Sequence, residues 1–246
     1  AAIRATVEHD WCRPLRRRHV PFTVDTPEAA AVEAIATRAA ELGAGLIVVG
    51  TRGAGLAADR TIGSTTLQLL ERLSHTTTAA VAVPQPGDGA EPGTDERTFR
   101  RILVAVDGSD DAHAAFTWAA DLALLTGATC HVVAVAEESD VFPLSPAASV
   151  TAEGEEHAVD RLEALTARWC ARLRTSGVAH TVTVERGRPA QAIVDHADRL
   201  DADLVVVGTS GTGSAGDPML GSVSRHVAHD AGRAVAVVPA GAHLHR

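Results

Sequence analysis

The chain has 246 residues, of which 46% are hydrophobic and 22% are charged, so it is long enough for one large or two modest globular domains. Its formal net charge of −9 means that binding to nucleic acid or to an anionic membrane would need a local basic patch. The arginines between Arg13 and Arg18 are the one candidate for such a patch, but a solvated helix end explains them more simply. We therefore predict neither a nucleic-acid partner nor a membrane partner.

The basic residues and the cysteines exclude several kinds of functional site. All 22 basic residues are arginine, which excludes a Walker A loop, a kinase-type strand lysine and a Schiff-base lysine. The three cysteines are too few and too scattered for a disulfide framework or a zinc site. No apolar run approaches the ~20 residues that cross a bilayer, and no signal peptide is recognisable. We expect a cytoplasmic protein.

Several motifs recur at one constant distance along the chain. Trp11-Cys12 recurs as Trp169-Cys170, and GLIVVGTRGAG (45–55) recurs as DLVVVGTSGTG (203–213), in each case 158 positions later. The same offset relates Gly50, Gly53, Gly63 and Ser64 to Gly208, Gly211, Gly221 and Ser222. A single offset for all these positions indicates two copies of one domain.

The first copy, residues 1–84, begins inside its fourth element. In chain order we predict a helix around Trp11, a strand at 21–25, a helix at 28–42, a strand at 46–49, a helix at 64–73 and a strand at 80–83. Aligned on the second copy, it lacks the first strand, the first helix and the second strand, about 57 residues by the constant offset. Because half of such a fold would leave an open sheet edge, we expect this copy to be truncated.

Residues 85–99 are rich in proline, glycine and acidic residues and are predicted to be a linker. The second copy, residues 100–241, is complete. Its predicted strands are 101–106, 129–136, 178–185, 204–207 and 234–238, and its predicted helices are 110–126, 151–175, 189–200 and 222–231. This alternation predicts an α/β fold: an open five-stranded parallel sheet of order 3-2-1-4-5 with helices on both faces, which is Rossmann-like.

A glycine pattern follows the fourth strand of the second copy: Gly208-x-x-Gly211-(nine residues)-Gly221-Ser222. At the end of a strand, Gly208 would let a sugar or base approach the backbone, and Gly211 would let the loop turn its amides inward. Gly221 and Ser222 open a helix, whose free N–H groups and dipole favour a phosphate. Ser224 would add a second hydroxyl.

The sequence Asp107-Gly108-Ser109 directly follows the first strand of the second copy. In a doubly wound sheet, ligands bind beyond the carboxyl ends of the strands where the strand order reverses. Strands one and four are neighbours there, so we expect Asp107 and Gly208 to face one ligand. A carboxylate at this point suits ribose hydroxyls or an adenine amino group. The other role open to Asp107, capping the next helix, fits Ser109 better.

The segments that carry these motifs, RILVAVDGSDDAHAAFTWAADLA and VVVGTSGTGSAGDPMLGSVSRHVAHDAGRAVAVVP, resemble the two ends of a universal stress protein domain. The resemblance covers 100–240 fully and about 11–84 partially. It implies the fold of the adenine nucleotide α-hydrolase type, and in that family this glycine pattern marks the members that bind ATP. The implied positions are Asp107 and Val135 near the adenosine, Gly208 and Gly211 along the ribose and phosphates, and Gly221, Ser222, Val223 and Ser224 at the phosphates.

The resemblance also implies partners. Because the family pairs through its last strand, the strands at 80–83 and 234–238 would pair within one chain or between two chains, which predicts a homo-oligomer. The expected ligand is ATP, with or without Mg²⁺. The first copy has no counterpart of Asp107, so we do not expect it to bind a nucleotide.

The predicted function is an ATP-binding regulatory module of the stress response. An enzyme is disfavoured because Ser222 and His226, one helical turn apart, have no third group to orient them. Two alternatives stay open: a weak ATPase or nucleotidyl-transfer enzyme on the same fold, and a dimerisation module without nucleotide. Mass spectrometry of bound nucleotide would separate them.

Two further patterns receive simpler explanations. Gly211-x-Gly213-x-x-Gly216 fits a dinucleotide fingerprint, but Asp217-Pro218 follow it where a helix should begin. His226 and His229, three apart on a helix, have no evident third ligand and are read as a surface pair.

Overall fold

The computed structural model describes residues 2–50, 62–73, 79–83, 99–137, 152–211 and 220–242. Gly53, Gly213, Gly216 and the predicted linker apart from its last residue lie outside the described residues. The strands are β1 (Leu46–Gly50), β2 (Ala79–Val83), β3 (Arg101–Val106), β4 (Thr129–Glu137), β5 (His180–Gly187), β6 (Leu204–Gly208) and β7 (Ala234–Val238). The helices are α1 (Ala2–Thr6), α2 (Arg13–Arg17), α3 (Ala31–Leu42), α4 (Ser64–Leu73), α5 (Asp110–Thr126), α6 (Ala152–Thr175), α7 (Pro189–Leu200) and α8 (Ser222–Asp230), with a π-helical turn, Val7–Trp11, between α1 and α2.

The described strands form one sheet in the order β1-β2-β7-β6-β3-β4-β5. From β7 to β5 every neighbouring pair is parallel, which confirms the predicted order 3-2-1-4-5 for the five strands of the second copy. The first copy adds β1 and β2, which are parallel to each other. The two copies meet where β2 pairs antiparallel with β7, at Ala80–Ala82 against Val235–Val237.

Helices cover both faces of the five-stranded part, so its central strands are apolar on both sides. The side chains of Ile102 and Val104 on β3 point to one face and pack with those of Phe116 on α5 and Trp169 on α6. Leu103, between them, points to the other face, into the layer formed by α7, α8 and α4. All five residues of β6 and all five of β7 are buried as a result.

Local signals set the helix ends. Ser109 is the N-cap of α5, and its hydroxyl accepts a hydrogen bond from the Ala112 N–H at 3.1 Å. Gly127 ends the same helix with a φ of +72°, a left-handed conformation that glycine adopts at low cost. Pro189 stands in the first turn of α7, where its missing N–H costs nothing.

The predicted strand at 21–25 is wrong, because these residues are described but form no strand. Their counterpart in the second copy, β5, has β4 as its one neighbour among the strands that the structure describes. Within the described residues the first copy has no equivalent of β4, and a strand without a neighbour gains no ladder hydrogen bonds. Pro21 and Pro27 also lack the N–H that such a ladder would use.

The two tryptophans of the repeat also have different surroundings. Trp169 is buried, and its ring lies 5.0 Å from that of His113 and 5.6 Å from that of Phe116, centroid to centroid. Trp11, the equivalent residue of the first copy, is exposed. Within the described helices, none is long and apolar enough to cross a membrane.

Candidate functional site

A cavity of about 850 Å³ opens at the carboxyl ends of β3, β4 and β6. All the residues that the sequence predicted for the site line this one cavity: Asp107, Val135, Gly208, Gly211, Gly221, Ser222, Val223 and Ser224. The carboxylate after β3 and the glycines after β6, about one hundred residues apart in sequence, therefore meet at the gap that the strand order leaves.

The cavity has an apolar side and a polar side. Val133 and Val135 from β4, with Pro189 and Ile193 from α7, supply apolar lining. The loop after β6 and the start of α8 supply polar lining that includes Ser210, Ser222 and Ser224. Because β3 separates β4 from β6 in the sheet, Val133 and Val135 lie on the opposite side of β3 from the loop after β6. This arrangement suits a ligand with a flat apolar part and an anionic part.

Gly211 is where the loop meets the carboxylate. A Cβ atom on Gly211 would lie 2.7 Å from Oδ2 of Asp107, which is closer than the Cβ atoms of real side chains come to their neighbours. The other oxygen, Oδ1, accepts a hydrogen bond from the Ser109 N–H at 2.9 Å. Asp107 is thus held on one side by the turn into α5, while Gly211 leaves the space that its second oxygen occupies.

The reason for a glycine at 208 differs from the one inferred from the sequence. A Cβ there would lie 2.8 Å from the carbonyl carbon of Asp111 and 3.0 Å from the amide nitrogen of Ala112. The first turn of α5, and not a ligand, occupies the space that a side chain would need. Gly208 lines the cavity, but its small size serves the packing of β6 against α5.

The start of α8 forms the anion-binding end of the cavity. Gly221 is the N-cap residue and makes no side-chain cap hydrogen bond, and its own N–H donates to the Thr209 carbonyl at 2.7 Å. The N–H groups of the first turn of any helix have no partner within the helix, and the dipole there favours negative charge. Ser222 is exposed beside them. They form a potential anion cradle.

Ser224 lines the cavity but has a structural contact that the sequence did not reveal. Its hydroxyl is buried and donates to the Gly208 carbonyl at 2.6 Å. Thr66, the equivalent residue of the first copy, donates in the same way to Gly50 at 2.8 Å. The one proton of Ser224 is thereby committed to the backbone, so this hydroxyl has no proton left to donate to a phosphate oxygen.

Three charged residues near the site were missed by the sequence analysis. Arg161 on α6 and Glu137 at the end of β4 line the cavity, and Asp111 on α5 bonds to the loop that contains Ser210. No local pattern marks Arg161, since its helix contributes to the cavity only through tertiary packing. Asp111 stands close to the motif at 107–109, but its partners lie about one hundred residues away in sequence.

His226 and His229 form the surface pair that was expected. The Nε2 of His226 lies 2.8 Å from one oxygen of Asp230, and the Nδ1 of His229 lies 2.5 Å from the other. Both histidines are exposed and turned to this carboxylate. Among the described residues there is no group of three side chains that could hold a metal ion.

Comparisons with known proteins agree with this architecture. Residues 98–239 match the model of the universal stress protein family. A universal stress protein of Mycolicibacterium smegmatis is 34% identical over 193 residues, which are 78% of this chain and 61% of that protein. A universal stress protein of Thermus aquaticus is 35% identical over 133 residues, 54% of this chain and 93% of that protein. This chain therefore spans less than two thirds of the first relative's length.

Two solved structures are similar. The universal stress protein UspA from Lactobacillus plantarum has a TM-score of 0.53 and 29% identity, and the match covers 57% of this chain and 97% of that one. A universal stress protein from Archaeoglobus fulgidus has a TM-score of 0.61 over 96% of this chain and 76% of its own, and at 20% identity it shows the fold alone. The chain belongs to the universal stress protein family.

Proposed function

We propose that residues 100–241 bind ATP in the cavity at the ends of β3, β4 and β6, and that the protein is a cytoplasmic, nucleotide-responsive module of the stress response and not an efficient enzyme. The observation that carries the proposal is that one cavity joins the Asp107 carboxylate to the glycine loop and the start of α8. Its volume of about 850 Å³ lies in the range of small-molecule and cofactor pockets.

Each part of the lining has a role in this proposal. Val133 and Val135 would flank the adenine, and Asp107 would accept hydrogen bonds from the ribose or the adenine amino group. The N–H groups at the start of α8, with the Ser222 hydroxyl, would bind phosphate oxygens. Mg²⁺, if it accompanies ATP, would bind on the phosphates, since no group of three metal-ligating side chains is present among the described residues.

The test is titration calorimetry with ATP in the presence of Mg²⁺. In Asp107→Ala we expect affinity to fall about ten- to hundredfold, because one hydrogen bond to a charged group contributes about 1.5–3 kcal/mol. Gly211→Ala should weaken binding as well, since its Cβ would displace the Asp107 carboxylate. Asp110→Ala, which changes an acid of the same turn that does not line the cavity, is the matched control. Unchanged affinity in both site variants would refute the site.

A dimerisation module without nucleotide is the second candidate. The observation that favours it is the antiparallel pairing of β2 with β7, the last strands of the two copies. It predicts protein that is purified without bound nucleotide and does not bind ATP on titration. Sedimentation at several concentrations would show whether chains also associate with each other, as a homo-oligomer requires. Steady phosphate release from ATP would instead indicate a weak ATPase.

A further inference from the structure

One carboxylate outside the cavity lining holds three separate parts of the chain together. Oδ2 of Asp111 accepts hydrogen bonds from the Thr209 hydroxyl at 2.8 Å and from the Ser210 N–H at 2.9 Å, and also from the Ser210 hydroxyl. Oδ1 accepts from the Ala240 N–H at 2.7 Å. These contacts join the first turn of α5 to the loop after β6 and to the segment after β7.

Close packing fixes the main chain from which this side chain projects. The main chain of Asp111 packs so closely on β6 that a Cβ on Gly208 would lie 2.8 Å from its carbonyl carbon. The first turn of a helix also favours a negative charge. The main chain of Asp111 is therefore anchored by packing, whereas its carboxylate is held by donors that belong to two different segments.

The segments that share Asp111 have different surroundings. Ser210 lines the cavity beside Gly211, and the Thr209 carbonyl accepts the Gly221 N–H from the start of α8. Ala240 instead follows β7, the strand that pairs with β2 of the first copy. A continuous path of hydrogen bonds thus leads from the anion-binding end of the cavity through Asp111 to the strand that joins the copies.

The hydrogen bonds to Asp111 are divided between its two oxygens: the three from the loop reach Oδ2, and the one from Ala240 reaches Oδ1. Because both oxygens belong to one rigid planar group, a movement of the loop donors that turns the carboxylate also changes the geometry available to Ala240. We propose that Asp111 is a positioning residue that couples occupancy of the nucleotide cavity to the segment after β7. This inference rests on the proposed function, because it requires that a nucleotide contacts the loop at Ser210 and Gly211.

Hydrogen exchange followed by mass spectrometry tests the coupling on the full chain. With saturating ATP and Mg²⁺, we expect exchange to slow both in peptides that contain 209–211 and in those that contain 239–242. A coupling of ordinary size corresponds to about a fivefold or larger change. In Asp111→Ala, at equal saturation, the loop peptide should keep its response to ATP while the 239–242 peptide loses it. A residue with a structural role alone would change the basal exchange rate but not remove the dependence on ATP.

Two variants complete the design. Asp110→Ala removes the neighbouring acid of the same helical turn and should keep both responses. Asp111→Asn retains the shape and one carbonyl oxygen; it should show a weakened response at 239–242 and replaces Asp111→Ala if that variant does not fold.

The outcomes separate this inference from the function on which it rests. Binding of ATP by the wild type without any response at 239–242 overturns the coupling alone, as does a full response in both Asp111 variants. Absence of ATP binding in calorimetry overturns the proposed function and the coupling together.

Discussion

Strands β1 and β6 have nearly the same sequence, LIVVG and LVVVG, but different surroundings. Leu46 and Val48 on β1 are 40% and 61% exposed, whereas their counterparts Leu204 and Val206 on β6 are fully buried. Strand β6 lies between β3 and β7 under helix α5, while β1, among the described strands, is at the edge and pairs only with β2. The difference shows that an apolar strand supplies surface for burial, and that its neighbours decide whether the surface is buried.

The two tryptophans of the repeat differ in exposure just as the two strands do. Trp11 is 72% exposed and Trp169 is 7% exposed, and the ring contacts of Trp169 are made with α5. Every apolar residue compared in this way has its second-copy counterpart in the core cluster that contains β3, α5 and β4. The first copy is predicted to lack the equivalents of these three elements, and on that prediction its apolar residues have no such cover.

The largest expected effect is the loss of stability when an aspartate replaces a valine in β6, compared with the same change in β1. Val206→Asp would bury an unpaired carboxylate in the core, which costs more than about 4 kcal/mol and is comparable with the stability of a whole domain. The matched change Val48→Asp falls on an exposed side chain and should cost within about 0.5 kcal/mol. Urea unfolding monitored by tryptophan fluorescence measures both. Similar losses in the two variants would show that β1 is covered in solution.

The second-largest expected loss of stability comes from changing the tryptophans of the repeat. Trp169→Ala removes a large buried side chain and should lower the free energy of unfolding by about 3–5 kcal/mol. Trp11→Ala, at the equivalent exposed position, should leave the unfolding midpoint within about 0.5 kcal/mol of the wild type. Circular dichroism melts or urea curves make the comparison. A large loss on changing Trp11 would mean that its ring is packed against something in solution.

The two copies should behave alike where they share a hydrogen bond. Ser224→Ala and Thr66→Val each remove a hydroxyl that donates to a strand-end carbonyl, of Gly208 and Gly50 respectively. Each loss should cost about 1 kcal/mol in chemical denaturation. If only Ser224→Ala destabilised the protein, the equivalence of the two hydrogen bonds would not extend to energetics.

The smallest effect concerns a carboxylate on β5 and its pH dependence. Burial raises the pKa of Glu185, but hydrogen bonds from His196, whose Nδ1 lies 2.5 Å away, and from Arg199 outweigh it and hold this pKa below its usual range. A carboxyl with a lowered folded-state pKa adds stability above its unfolded pKa of about 4.3, and that stability is lost as the pH falls through the folded value.

Glu185→Gln should therefore destabilise the protein at pH 7 by up to about 1 kcal/mol, and its difference from the wild type should shrink as the pH falls below about 4. Urea unfolding at a series of pH values measures this. In the first copy, Glu41 pairs with Arg38, the counterpart of His196, on an exposed surface. Glu41→Gln is the matched control, with little change at any pH, because exposed ion pairs are weak. A pH-independent loss in Glu185→Gln would contradict the ionic explanation.

Much of the fold followed from local patterns. The strand order, the helix ends at Ser109 and Gly127, and the alternation of strands and helices in the second copy appear in the structure as expected. The strand at 21–25 failed because a strand needs a partner. The composition of that segment carries no information on whether one is present.

For the site, the sequence brought Asp107 and the glycine motif to one cavity, because parallel strands end at the same edge of a sheet. The reason inferred for a glycine at position 208 was wrong, and the sequence did not identify Asp111 and Arg161 as residues near the site. The contacts of these two residues depend on how closely α5 and α6 approach the strands.

The sequence by itself determined the elements whose causes are local: apolar runs that form strands, caps that end helices, and glycines that permit a turn. Only the tertiary structure decided which apolar faces are covered and which carboxylate joins the loop after β6 to the segment after β7. The physical reason is that burial and hydrogen bonding between distant segments depend on what lies beside a residue in space, so strands of nearly identical sequence acquire different environments.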